Sequence, residues 1–195
     1  MYSAMLSLEG QKVTIVGGGK VAFRKACLLL EEHCELQVIA PIFIEVFESL
    51  GDKLNRQYRS YQEGECRENI LVFAATNDAQ MNEKIGLDCK QHHILCNVVD
   101  QPSLSTFTTP AQVKRGALTL SVSTGGNSPT LAAQIRNELD EKYGEAYARR
   151  VALLGEIRRH TLKVEPDAQT RKRILTYVAT LNELELEQYV SFYMR

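Results

Sequence analysis

The stretch that decides the fold reads KVTIVGGGKVA and runs from Lys12 to Ala22. Its residues 13–16 form a short apolar, β-branched run, which is typical of a strand buried on both faces of a parallel sheet. Three glycines follow, and residues 21–32 have the composition and apolar spacing of a helix. The order strand, glycine turn, helix predicts the opening βαβ unit of a Rossmann-type domain.

Within this stretch, Gly17-x-Gly19-x-x-Ala22 matches a dinucleotide fingerprint. Gly17 permits the tight turn, Gly19 lets the backbone approach a pyrophosphate, and Ala22 lets the helix pack on the strand. The start of the helix adds free N–H groups and a partial positive charge. We therefore predict a dinucleotide site, with a purely structural glycine turn as the alternative.

Composition and charge narrow the class of protein. The 195 residues are 44% hydrophobic and 24% charged, and the net charge of -1 gives no field that would recruit nucleic acid or an acidic membrane. The five cysteines are scattered without a C-x-x-C pair, and the four histidines lack metal-binding spacing, so we predict reduced thiols and no metal site. Without a signal peptide or a long apolar run, the expectation is a soluble cytoplasmic protein.

The first half of the chain continues to alternate between strands and helices, which predicts a doubly wound parallel sheet. The second strand ends in Ala40-Pro41-Ile42, with neither an acidic residue for a ribose nor a basic one for a 2′-phosphate. Polar residues end two later strands, at 76–78 and at Asp100, where such a sheet places its ligand loops. The predicted strands cover 35–41, 56–61, 69–76 and 94–100, and the predicted helices cover 42–50 and 81–92.

The pattern changes after residue 104. Residues 105–114 and 117–124 are rich in Thr and Val and predict two strands joined by an Arg115-Gly116 turn. Ser128 and Pro129 are suited to begin a helix over about 130–143, and the rest is helical in pattern, with a final helix at 183–193. We predict three parts: a dinucleotide-binding domain at 1–104, a β-containing region at 105–143 and a helical domain at 144–195.

Several motifs together resemble one family, the precorrin-2 dehydrogenases that form the dehydrogenase module of sirohaem synthases. Two of them, FTTPA at 107–111 and SVSTGGNSP at 121–129, are specific to this family. The others are VGGGKVAFRK at 16–25, Ala40-Pro41, AATND at 74–78 with Asn82, and NVVD at 97–100. The resemblance covers about residues 8–139.

The resemblance implies oxidation of precorrin-2 to sirohydrochlorin with NAD⁺ as hydride acceptor. It also implies a homodimer built on the 105–143 region, and a tetrapyrrole bound in a cleft between the two parts of the fold. Relatives commonly lack an acidic residue at the end of the second strand. Some relatives also insert iron, and some are fused to a methyltransferase for which this chain is too short. In some fused relatives a phosphorylatable Ser occupies the position of Thr124.

On this basis we assign expected roles to single residues. Asp100 is the expected catalytic residue, accepting the proton that leaves as hydride passes to NAD⁺, although a lone Asp at this point could equally cap a turn. The expected cofactor-binding residues are Gly17, Gly19, Lys20, Val21, Ala40, Pro41, Ile42, Thr76, Asn77 and Asp78. The expected substrate-binding residues are Thr124, Ser128, Lys114, Arg115 and Arg136, where solvated surface charge is the alternative for each basic side chain.

Two competing functions stay open at this point. One is a bifunctional dehydrogenase and sirohydrochlorin ferrochelatase. The other is a non-catalytic module that senses NAD and regulates a partner. Asp100 discriminates the sensor from the enzymes, because a sensor needs no acid or base at the nicotinamide.

Overall fold

The predicted βαβ unit opens the fold in a computed structural model, which describes residues 1–99 and 101–193. Strand β1 spans Lys12–Val16 and helix α1 spans Lys20–Leu30, with the three glycines between them. The chain divides into two units, one ending at Thr109 and the other beginning at Pro110. The predicted catalytic residue, Asp100, lies outside the described residues.

In the described part of the first unit, the strands form one parallel sheet of five strands. Their order is β3-β2-β1-β4-β5, so the direction of progression reverses between β1 and β4. Ligands bind at such a reversal, outside the carboxyl ends of the strands. The predicted doubly wound sheet is confirmed. The remaining strands are β2 (Glu35–Ile39), β3 (Asn55–Gln57), β4 (Leu71–Ala74) and β5 (Leu95–Val98).

Apolar side chains cover both faces of this sheet. Val13 and Ile15 of β1 pack with Ala22, Ala26 and Leu29 of α1 on one face. Val16 faces the other side, where the second helix, α2 (Ala79–Gln91), contributes to a separate core cluster. Because successive strand residues point to opposite faces, a strand covered on both sides must be apolar throughout, as the run over residues 13–16 predicted.

Two predicted elements differ from the structure in the first unit. The helix expected at 42–50 is a 3-10 segment over Glu45–Lys53, interrupted at Gly51, which has a φ of 52°. The strand expected at 56–61 is only three residues long and ends at Gln57. Its polar continuation, 58–61, therefore lies beyond the carboxyl end of the strand, where ligands bind.

The strand expected at 105–114 begins six residues late, at Ala111. Hydroxyl groups explain why the Thr- and Ser-rich beginning is not a strand. Thr106 Oγ1 accepts a hydrogen bond from the Cys96 N–H at 2.8 Å, and Ser105 Oγ accepts one from the Val98 N–H at 2.9 Å. Together with the Thr106 N–H, which donates to the Cys96 carbonyl at 2.8 Å, these side chains occupy backbone groups of β5 that a paired strand would use.

The second unit joins a β-hairpin to helices. Strands β6 (Ala111–Arg115) and β7 (Leu118–Val122) are antiparallel, with Gly116 at a φ of 56° in the turn. The helix expected after Ser128 starts as predicted, with the Ser128 side chain accepting from the Leu131 N–H at 3.2 Å. The helices are α3 (Pro129–Lys142), α4 (Ala146–Val164), α5 (Ala168–Val178) and α6 (Glu183–Tyr193). Among the residues that the structure describes, none of the helices is long and apolar enough to cross a membrane.

Steric limits at the glycine turn distinguish its three glycines. A Cβ at Gly17, where φ is 135°, would lie 2.2 Å from the Ala75 carbonyl oxygen. A Cβ at Gly18 would lie 2.1 Å from the Ile42 carbonyl oxygen, whereas a Cβ at Gly19 would have no atom within 4 Å. The first two glycines are therefore required by packing against the ends of β4 and β2, and the third borders open space.

We expect Gly18→Ala to lower the free energy of unfolding by about 1–3 kcal/mol. The added methyl group would clash with the Ile42 carbonyl group, which is backbone and cannot move aside easily. Gly19→Ala is the matched control, since it adds the same methyl group where there is room. Chemical denaturation of both variants measures the difference. Equal stability of the two would contradict the packing argument.

Candidate functional site

A cavity of about 570 Å³ lies at the carboxyl ends of β1, β2 and β4 in the first unit. The glycine turn forms one wall, the residues after β2 form another, and the loop from β4 to α2 forms a third. Its lining residues are Val16, Gly17, Gly18, Gly19, Ile39, Ala40, Pro41, Ile42, Ile44, Arg59, Ser60, Tyr61, Ala75, Thr76, Asn77, Asp78 and Met81. The cavity therefore coincides with the reversal in strand order.

This cavity brings together most of the residues expected to bind the cofactor. The ones that line it are Gly17, Gly19, Ala40, Pro41, Ile42, Thr76, Asn77 and Asp78. Lys20 and Val21 are not part of the lining. Val21 packs against the apolar core, and Lys20 is exposed at the start of α1.

The start of α1 has the properties of an anion-binding helix end. Gly19 is its N-cap, and no side chain of the described residues caps it or places an acidic group in its first turn. The first N–H groups of a helix have no partner within the helix, and they carry a partial positive charge. Together with the open space beside Gly19, this fits the pyrophosphate of a dinucleotide.

The loop after β4 is held in place by a buried amide. Asn82, on α2, accepts a hydrogen bond from the Thr76 N–H at 3.1 Å and donates one to the Thr76 carbonyl at 3.1 Å. The Asp78 carboxylate caps α2 by accepting from the N–H groups of Gln80 and Met81. Asn82 and Asp78 thus fix the shape of the wall, and Asn77 remains exposed beside the cavity.

The segment after β3 adds Arg59, Ser60 and Tyr61 to the cavity wall, and none of them is among the predicted cofactor-binding residues. The strand predicted over 56–61 includes them, and in such a strand they would pair along the sheet. Because β3 ends at Gln57, they follow it at the carboxyl edge instead. The signal that could have found them is the polar composition of the segment, which is unusual for a buried parallel strand.

Tyr61 is anchored from behind by a buried carboxylate. Its hydroxyl donates to Asp88 Oδ2 at 2.5 Å, and the Gly64 N–H donates to the same oxygen at 2.7 Å. Burial opposes the charge on Asp88, but these hydrogen bonds outweigh it, so the pKa of Asp88 is lowered. Burial and the bond to Asp88 both raise the pKa of Tyr61, which keeps its proton and stays a donor. The aromatic wall of the cavity therefore has a fixed position.

Lys25 is a partly buried amine on α1, in the same unit. Its Nζ lies 4.4 Å from the centre of the Phe73 ring and donates to Thr109 Oγ1 at 3.5 Å. Burial, with a smaller contribution from the charge of Arg24, lowers the pKa of Lys25 to about 8. The folded protein thus binds the Lys25 proton less tightly than the unfolded chain does.

The residues expected to bind substrate all lie in the second unit. Arg115 donates to Asp140 Oδ1 at 2.7 Å and lies 3.3 Å from Glu145 Oε1, so its charge is already neutralised. Lys114 immediately precedes Arg115 in β6, so its side chain faces the other side of the hairpin. Arg136 lies half-buried on α3.

Thr124 and Ser128 are brought together in the loop before α3. Thr124 Oγ1 accepts from the Ser128 N–H at 3.0 Å, and Ser128 caps α3. Both hydroxyls therefore shape this loop. Their expected role in substrate binding stays a prediction, as does that of the three basic residues.

Across residues 1–99 and 101–193, no cluster of three or more His, Cys, Asp or Glu is arranged to hold a metal ion.

We expect Lys25→Met to change how stability depends on pH. A lysine with a lowered pKa makes folding less favourable below its folded value, and this cost disappears above its unfolded value. The unaltered protein should therefore gain stability relative to Lys25→Met between about pH 8 and 10.5. Denaturant unfolding of both proteins across this range measures the difference. Parallel curves would contradict the lowered pKa of Lys25.

We expect Gly19→Val to lower dinucleotide affinity at least about tenfold, because its side chain would occupy the space beside the first N–H groups of α1. The melting temperature should change little, since the Cβ meets open space. Calorimetric titration with NAD⁺ and thermal unfolding test the two halves of this prediction. An unchanged NAD⁺ affinity in the folded variant would show that the phosphates do not bind beside Gly19.

Comparison with known proteins agrees with this geometry. Residues 4–111 match a family described as "putative NAD(P)-binding", and residues 115–142 match the central region of sirohaem biosynthesis proteins. A siroheme synthase of Thioalkalivibrio sulfidiphilus is 33% identical over 88% of this chain, and one of Pseudomonas aeruginosa strain LESB58 is 37% identical over 85%. This chain spans only 36% of the length of each of them.

A solved structure matches over nearly the whole chain. SirC, a precorrin-2 dehydrogenase, superposes with a TM-score of 0.81 at 28% identity, covering 99% of this chain and 100% of SirC. The resemblance found in the sequence motifs is thereby confirmed. The match over residues 4–111 covers more than half of the 195 residues, and this chain therefore belongs to that putative NAD(P)-binding family.

Proposed function

We propose that this chain is an NAD-dependent precorrin-2 dehydrogenase, which oxidises precorrin-2 to sirohydrochlorin in sirohaem biosynthesis. The observation that carries the proposal is the match to SirC over the full length of both chains. The cavity beside the glycine turn supports it independently, because its walls fit a dinucleotide. The siroheme synthases that it resembles are longer, so the match to them supports only the corresponding module.

The cofactor fits the residues of the cavity. The start of α1 and Gly19 would hold the pyrophosphate, and Ala40, Pro41 and Ile42 would border the adenosine. The buried contacts of Asn82 and Asp88 keep two walls of the cavity in place before the cofactor arrives, which reduces the ordering cost of binding. When bound, NAD⁺ supplies a hydride acceptor and nothing that accepts a proton.

Proton removal is the chemical task left to the protein. Conversion of precorrin-2 to sirohydrochlorin removes one hydride and one proton from the macrocycle. We assign the proton to the carboxylate of Asp100, which follows β5 in the sequence. The alternative is an aspartate that only caps a turn, with bulk water as the proton acceptor.

Carboxylate groups on the tetrapyrrole would be held by basic side chains. Lys114, Arg115 and Arg136 are the candidates. A substrate carboxylate would have to displace Asp140 and Glu145 from Arg115 before it could pair with that guanidinium. We further propose a cytoplasmic homodimer in which residues 105–143 of each protomer form the interface. Along the chain, this region follows a dinucleotide domain at 1–104 and precedes a helical domain at 144–195.

Anaerobic turnover of precorrin-2 with NAD⁺ tests the function directly, and Asp100→Ala tests the mechanism. General base catalysis is typically worth ~10²–10⁴-fold, so kcat should fall by that order while NAD⁺ still binds. Asp100→Asn is the matched control, because it keeps the shape but cannot accept the proton, and it should be equally slow.

Other outcomes identify the alternatives. A near-normal single-turnover rate in folded Asp100→Ala would show that bulk water, and not Asp100, accepts the proton. NAD⁺ binding without any turnover would favour the sensing module. Iron or cobalt insertion into sirohydrochlorin in a parallel reaction would add the chelatase activity.

A further inference from the structure

The adenosine end of the cavity contains one cationic side chain that no motif indicated. Arg59 lines the cavity together with Ala40, Pro41 and Ile42. It reaches this position because β2 and β3 run side by side, with Ile39 opposite Gln57 and the Ala40 N–H donating to the Gln57 carbonyl at 3.0 Å. The segments that follow β2 and β3 therefore leave the sheet at the same edge. In dinucleotide folds, an arginine near the end of the second strand is the group that accepts a 2′-phosphate.

This arginine is not free to do so, because a carboxylate holds it. Arg59 Nη2 lies 2.5 Å from Glu65 Oε1, and Arg59 Nη1 donates to the Ser60 carbonyl at 3.2 Å. Glu65 is itself fixed, since its Oε2 accepts from the Gln62 N–H at 2.6 Å. The Glu65 carboxylate is therefore held by the turn, and it would stay in place if the Arg59 guanidinium moved away.

The position of Glu65 shows in which direction it holds Arg59. A second, polar cavity of about 680 Å³ lies in the same unit, between the turn over residues 64–69 and strands β1 to β3. Arg59 lines both cavities, whereas Glu65 lines only the second. The ion pair thus draws the guanidinium towards the second cavity and away from the adenosine.

We propose that Glu65 determines the preference of this site for NAD over NADP, by neutralising Arg59 and keeping it from the position of a 2′-phosphate. The inference rests on the proposed function only in that the ligand of the cavity is a nicotinamide dinucleotide. An NADP phosphate would need Arg59 to leave Glu65, and it would approach an unpaired carboxylate if Arg59 did leave. NAD has no phosphate at this position and meets neither cost. In most dinucleotide folds the acidic residue lies at the end of the second strand, and here Glu65 would act from the turn after the third.

Glu65→Gln is the test, because it removes the charge while its amide oxygen can still accept from the Gln62 N–H. Calorimetric titration with NAD⁺ and with NADP⁺ should show that the ratio of the two affinities shifts towards NADP⁺ by about tenfold, the effect expected when a charged hydrogen bond becomes available. The gain should weaken as salt is raised, since the side chains of Arg59 and Glu65 are 36% and 23% exposed. The double variant Arg59→Gln/Glu65→Gln should lose the gain.

Glu68→Gln is the matched control. Glu68 belongs to the same turn, lines the second cavity and forms an ion pair with Lys12, but it does not line the first cavity. Its loss changes the net charge equally and should leave the affinity ratio unchanged. Glu65→Ala, which also removes the charge, replaces Glu65→Gln if the latter does not fold.

Three results would overturn the proposal. The first is an unchanged affinity ratio in folded Glu65→Gln, and the second is an equal shift in Glu68→Gln. The third is a gain for NADP⁺ that persists in the double variant, because the phosphate would then be bound by a group other than Arg59. These are binding measurements, so a failure to oxidise precorrin-2 would count against the proposed function alone. Failure of the unaltered protein to bind either cofactor would overturn both.

Discussion

The fold and the site depend on the close approach of the glycine turn to the ends of two neighbouring strands. The Gly17 N–H donates to the Ile39 carbonyl at 2.8 Å, and the Ile44 N–H donates to the Gly18 carbonyl at 2.9 Å. These bonds join the turn to both ends of the Ala40–Phe43 segment. A Cβ at Gly17 would clash with the Ala75 carbonyl oxygen after β4, and a Cβ at Gly18 would clash with the Ile42 carbonyl oxygen after β2. The same approach places the start of α1 at the edge of the cavity, so one packing constraint positions both the sheet and the phosphate-binding helix end.

Behind the cavity, buried polar side chains hold the surrounding loops in a single geometry. Apolar packing is not directional and could not do this alone. Asn82 binds both backbone groups of Thr76, and Asp88 binds the Tyr61 hydroxyl and the Gly64 N–H. Both residues lie on α2, which therefore sets the loop after β4 and the segment after β3. Leaving such buried groups unpaired is costly, so each loop has one strongly favoured position.

The sequence predicts the doubly wound sheet and the cavity walls at the glycine turn, after β2 and after β4, but it does not predict where β3 ends or where β6 begins. A buried parallel strand and a glycine turn are visible because apolar periodicity and missing side chains are local properties. The early end of β3 depends on tertiary contacts, and the pairing of Ser105 and Thr106 with β5 depends on residues up to ten positions away. No local pattern indicates such contacts, and for this reason the sequence predicts Arg59, Ser60 and Tyr61 as part of a strand.

The type of a charged residue says less about its role than its existing partners do. The motif predicts that Asp78 binds the cofactor, yet its carboxylate already accepts hydrogen bonds from two N–H groups of α2. Arg115 similarly has two acidic neighbours, and Arg59 has one. In each case the partner decides whether the charge is available to a ligand, because exchanging one ion pair for another releases far less free energy than forming a new one. Selectivity for a phosphorylated ligand can therefore reside in a carboxylate that the ligand never touches.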